Sequence, residues 1–183
     1  MDNKQLAPEM LGKIDGIFQK LNLDGVSAES SGMNELPDGY YLGEVVSATL
    51  GESKSSHTPM VTIDYKVAED GFGTVTDENG NVTLTDVKSK GRHIYVYYVL
   101  TDESKAKRFV SDMLKFEGDV EGEPLLPEEA FTNSETIIDA LEVLTGCRIY
   151  LQISTSINKT TGEANSWKNP ISWKRAAKLE LPM

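Results

Sequence analysis

A chain of 183 residues, 39% of them hydrophobic, has the size for one well-buried domain with a small appendage. No apolar run approaches the about 18 residues that span a bilayer, and MDNKQLAPEM at the start has no basic stretch followed by an apolar one, so the expectation is a cytoplasmic protein with no membrane segment. The net charge of -11 excludes a general basic surface for coating duplex DNA, but the acidity is local: residues 101–146 carry 4 basic and 12 acidic side chains, residues 147–183 carry 6 and 2.

Leu6, Met10, Ile14, Ile17, Phe18 and Leu21 recur at three- and four-residue steps, the stripe of an amphipathic helix over residues 5–21. Such a helix packs on its own domain or serves a second copy or partner. Residues 1–23 are assigned to this element, and the Gly-, Ser- and acid-rich residues 24–38 to a linker, leaving 39–183 as the main domain.

YYLGEVVSATL (40–50) alternates so that Leu42, Val46, Ala48 and Leu50 share a face. MVTIDYKV (60–67) does the same with Val61, Ile63, Tyr65 and Val67, and both read as half-buried strands around an exposed loop, GESKSSHTP. Residues 73–87 form a hairpin signal around Asn79-Gly80, which in a type I′ turn takes positive φ at both positions. RHIYVYYVL (92–100) follows as a strand. Phe109, Val110, Met113, Leu114 and Phe116 predict a helix within 102–117, opened by Thr101 or Asp102; Ile137, Ile138, Leu141 and Leu144 predict another behind Ser134, ended by Gly146. The acidic EGDVEGEPLLPEEAF between them reads as a surface loop. CRIYLQISTSI (147–157) buries Ile149, Leu151 and Ile153, and a turn at NKTTGE leads to a last strand that Pro170 makes an edge or a bend. The lone Cys147 has no disulfide or zinc partners and reads as a small buried apolar residue.

The order strand, strand, hairpin, strand, helices, strand, strand is compatible with a mainly β, α+β fold: a five-stranded OB-type barrel with a hairpin insertion and helices between the third and fourth strands. The same order also suits an open α+β sheet. In RHIYVYYVL the more apolar set Ile94, Val96, Tyr98 and Leu100 faces the core, leaving His93, Tyr95 and Tyr97 outside. The same alternation places Tyr41, Lys66, Arg148, Tyr150 and Gln152 outside, with Trp167 and Lys168 on the last strand. Rings interleaved with cations suit a single-stranded nucleic acid, since every base has a face to stack and every nucleotide a phosphate. The competing reading is a second core, with helices covering those rings.

The run LPDGYYLGEVVSATLGESKSSHTPMVTIDYKV, a strand ending YVYYVL, a helix and a late CRIYLQI strand preceded by Gly146 resemble a family of phage-encoded proteins related to single-stranded-DNA-binding proteins, over residues 36–175. The resemblance implies an OB-type fold, a bacterial host cytoplasm and a role in phage DNA replication, recombination or repair. It maps the family's Lys-Ser loop onto Lys54 and Ser55, where the lysine meets phosphate. Proteins of that kind commonly end in an acidic tail, whereas this chain ends AAKLELPM, and its N-terminal helix is an extra element. EGDVEGEPLLPEE, with Leu125 and Leu126, is a candidate substitute for the tail in binding replication or recombination proteins.

The leading expectation is therefore a sequence-tolerant module for single-stranded DNA. Tyr95, Tyr97, Tyr150 and Trp167 stack bases, Lys54, Lys66, Arg148 and Lys168 meet phosphates, and Ser55 and His93 complete the site. The alternative is a protein-interaction or phage structural module that assembles, as a homo-oligomer or otherwise, through the N-terminal helix. Two separated histidines and no nucleophile motif, phosphate loop or metal cluster leave catalysis and cofactors without a candidate.

Overall fold

The computed structural model describes residues 36–54, 56–118 and 122–182, so the stripe at 5–21 and Ser55 lie outside the described residues. Seven strands, β1 (Gly39–Glu52), β2 (Pro59–Val67), β3 (Gly71–Thr76), β4 (Val82–Val87), β5 (His93–Val99), β6 (Arg148–Ile157) and β7 (Ala164–Ile171), pair antiparallel throughout. Among the described residues three α-helices, α1 (Glu103–Met113), α2 (Ser134–Val143) and α3 (Trp173–Lys178), accompany them. The fold is thus mainly antiparallel β in the α+β class.

The 14-residue β1 is the shared member. Its first half pairs with β6, from Gly39↔Ile153 to Glu44↔Arg148, and its second half pairs with β2, from Gly43↔Val67 to Glu52↔Pro59. β5 lies beyond β2 and β7 beyond β6, giving the run β5-β2-β1-β6-β7; the β3–β4 hairpin joins β1 through Gly39 and Tyr40. Strands cross closely there, and a Cβ at Gly39 would run into the Phe72 carbonyl oxygen.

A bulge at Val46 corrects the facing expected for β1. Val45 pairs with Tyr65 and Ser47 with Asp64, leaving Val46 as the extra residue. Before the bulge Tyr41 and Val45 point into the core, after it Ala48 and Leu50 do, and Val46 is 44% exposed. Tyr41, expected outside, is fully buried; its hydroxyl donates to the Pro37 carbonyl at 2.7 Å, and burial pushes its pKa up to about 12. Around it Val61, Ile63, Tyr65, Val67, Ile94, Val96, Tyr98, Ile149, Leu151 and Ile153 meet Phe109 and Met113 of α1 and Leu141 and Leu144 at the end of α2. Leu36 joins this core, and the Asp38 carboxylate accepts from Thr155 N and Oγ1 at 2.9 and 2.7 Å.

Local signals place the helices. Asp102 caps α1 by accepting from Lys105 N at 3.0 Å, and Asn133, one residue before the expected Ser134, caps α2 in a reciprocal box with Thr136. Gly146, at φ +85°, turns the chain out of α2 into β6. The β3–β4 turn differs from the type I′ expectation. Gly80 alone has positive φ, and the Asp77 carboxylate organises a five-residue loop by accepting from Asn79 N, Asn81 N and Asn81 Nδ2. The acidic loop after α1 is partly a core element, because Leu126 is buried and Leu125 N donates to the Phe116 carbonyl at 2.7 Å. Cys147 is only partly buried.

A second apolar cluster forms on the outer side of the sheet. Here α3, whose Ser172 cap follows β7 directly, and Leu181 cover Tyr40, Tyr150 and Ile171, with Leu42 and Trp173 at the margin.

Candidate nucleic-acid interface

The ladders put a defined set of side chains on the open face. In β5 and β2 the outward pairs are His93 with Lys66, Tyr95 with Asp64 and Tyr97 with Thr62; Glu44, Ser47 and Thr49 continue these rows on β1. Because side chains alternate, burying Ile94, Val96 and Tyr98 forces their neighbours outward, and Tyr95 and Tyr97 stand 43% and 57% exposed. His93 lies against Tyr95 with ring centroids 6.2 Å apart and planes at 22°, and its Nδ1 donates to Asp64 Oδ1 at 2.8 Å.

Among the described residues β5 pairs with β2 alone and β7 with β6 alone, and between the two strands lies a cleft of about 240 Å³. Tyr95 and Tyr97 line one wall, Trp167 and Lys168 the other, and Arg108 of α1 reaches between them. The Arg108 guanidinium sits 5.7 Å from the centre of the Trp167 ring and donates to Asn169 Oδ1 at 2.8 Å. Trp167 Nε1 donates to Ser156 Oγ at 3.0 Å, which fixes the indole from β6. The helix itself is bolted across the gap. Asp112 accepts from the Tyr98 hydroxyl of β5 at 3.0 Å and from Lys115 Nζ at 2.5 Å, and Lys115 Nζ also donates to the Pro170 carbonyl of β7 at 2.9 Å. Burial drives the Tyr98 hydroxyl well above the ordinary tyrosine range, so it remains a donor.

A second hollow, about 310 Å³, opens past the His93 end of the face, lined by Glu44, Lys66, Lys90 and Arg148 among others. Arg148 Nε bonds Glu44 Oε2 at 2.8 Å, so part of its charge is already answered.

Of the residues picked from sequence, Tyr95, Tyr97, Trp167 and Lys168 meet around one cleft, with His93 beside it, while Lys66 and Arg148 meet in the other hollow. Lys54 is exposed in the β1–β2 loop, where Ser53, Ser56 and Thr58 cluster their hydroxyls. Tyr150 is a correction. It is 3% exposed under α3, edge-on to Trp173 at 5.8 Å, with its hydroxyl donating to the Pro182 carbonyl at 2.8 Å, so it offers no stacking face. Arg108, Lys90 and Asp64 escaped the sequence reading. Arg108 lay on a helix read only for its apolar side, and Asn169, its partner, is 61 positions away.

No protein-family model matches the chain, and no curated protein matches it either. Among the described residues no group of three or more His, Cys, Asp or Glu is placed to hold a metal ion, and no helix is long and apolar enough to cross a membrane.

Proposed function

We propose that this domain binds single-stranded DNA with broad sequence tolerance, as an OB-type barrel serving phage DNA replication, recombination or repair. The observation that carries the reading is the convergence of Tyr95, Tyr97 and Trp167, all exposed, on one cleft that also holds Arg108 and Lys168. Aromatic faces beside cations answer the two features common to every nucleotide, its base plane and its phosphate. The strand run β5-β2-β1-β6-β7 supports the barrel, with β2 and β5 as second and third strands, the pair whose outer face serves oligonucleotides in OB folds. The flanking loops of that arrangement correspond to residues 53–58 and 158–163, which carry the exposed Lys54 and Lys159. The net charge of -11 is compatible with a local cationic track, whose phosphate contacts release counterions and make binding fall with salt.

The test is fluorescence anisotropy with a labelled mixed-sequence oligonucleotide across a salt series, with duplex as control. Single-strand-selective, salt-weakened binding is expected. A folded Tyr95→Ala/Tyr97→Ala protein should lose about 1–3 kcal/mol per stack. Unchanged affinity in that variant removes the face from the mechanism, and no binding by the parent protein at low salt overturns the proposal.

A further inference from the structure

We propose that Asp64 reads the edge of the base stacked on Tyr95, so that the face favours bases bearing an exocyclic amino group and disfavours thymine; this rests on the single-strand reading above. Asp64 is the residue directly opposite Tyr95 in the β2–β5 ladder, and opposed side chains on one sheet face start about 5 Å apart. A base lying on the Tyr95 ring therefore has an edge within reach of this carboxylate. Oδ1 is held by His93 Nδ1 at 2.8 Å, which orients the group; the Asp64 side chain is 15% exposed, and among the described residues His93 is its ion-pair partner.

A carboxylate at the centre of a surface for a polyanion needs a physical account. Phosphates and internal deoxyribose units of a DNA strand have acceptors and no hydrogen-bond donors, and a phosphate over Asp64 meets like charge. The donors such a strand offers are the base N–H groups. Cytosine and adenine present an amino group, and guanine an amino group beside N1–H. Thymine presents one N–H between two carbonyl oxygens, which a carboxylate repels. Stacking on Tyr95 supplies affinity for any base, and Asp64 adds a bias.

The experiment compares labelled oligo(dC) and oligo(dT) of equal length on the whole protein, with Asp64→Asn and Asp64→Ala as variants. The parent protein is expected to prefer oligo(dC) by about fivefold, the size of one net hydrogen bond. Asp64→Asn, whose amide also donates to thymine carbonyls, should bring the ratio to unity or reverse it, and Asp64→Ala should abolish it without reversal. Losing the negative charge raises both affinities, so the ratio is the readout. Equal, salt-sensitive binding of both oligonucleotides by the parent, or a ratio that survives in both variants, overturns the role of Asp64 and leaves the single-strand reading standing. Failure of both oligonucleotides to bind at low salt overturns both.

Discussion

Replacing Asp112 with alanine should weaken the attachment of α1 to the sheet. The carboxylate is 4% exposed and holds two donors, the Tyr98 hydroxyl at 3.0 Å and Lys115 Nζ at 2.5 Å. Tyr98 is itself 4% exposed, so its orphaned hydroxyl carries a desolvation cost of about 1–3 kcal/mol. Lys115 keeps the Pro170 carbonyl and is 31% exposed, which places the broken ion pair at or below the lower end of the about 3–5 kcal/mol range for buried pairs. The two costs overlap, and we expect a loss of about 3 kcal/mol in urea unfolding followed by tryptophan fluorescence. The companion variant is Asp112→Leu/Tyr98→Phe. It removes the hydroxyl that Asp112→Ala orphans and keeps the edge contact of ring 98 with Phe109 at 5.3 Å, so it should recover most of that loss. A single variant within about 1 kcal/mol of the parent, or a double variant at least as unstable as the single, refutes the orphaned-donor argument.

Two further outcomes are expected from groups away from the cleft. The Tyr65 hydroxyl is buried with no hydrogen-bond partner among the described residues, so Tyr65→Phe should raise stability by about 1 kcal/mol; a lowered urea midpoint would show that the hydroxyl is satisfied in solution. Asp70 accepts from Lys90 N at 3.1 Å and Ser89 N at 3.0 Å, and these bonds hold its carboxyl below the usual carboxylate range. Its stabilisation is therefore present at neutral pH and lost as pH falls through the depressed value. The gap in unfolding midpoint between parent and Asp70→Ala should be flat above about pH 5 and close in stronger acid; a gap unchanged at about pH 2 contradicts it.

Period-2 patterning made most strands legible, because β2, β5 and β6 each bury a continuous apolar alternation in the main core. It failed in β1, where the single inserted Val46 leaves apolar residues on both parities and nothing in composition says which parity is inside. Tyr41 and Leu42 were exchanged for that reason. Tyr150 was misplaced from a different cause: its outward direction on β6 is as the alternation gives it, but the face it points to is roofed by α3, a six-residue helix whose Trp-Lys-Arg start resembles the strand before it. The cleft was half legible. Tyr95 and Tyr97 follow from strand periodicity and Trp167 and Lys168 only from lying on the last strand, whereas Arg108 is brought there by helix docking, which a local pattern does not encode.

The two tyrosines of β5 are separated by one residue, so their rings project about 7 Å apart along the strand. Nucleotides in a stacked helix advance about 3.4 Å each. A DNA segment whose successive bases occupy both rings is thus stretched to about twice its stacked rise, each base trading a nucleobase neighbour for a phenol. Drawn out in this way, the segment cannot keep a hairpin of its own. Under the proposed single-strand binding, the interval between two side chains would set the spacing of the bound bases.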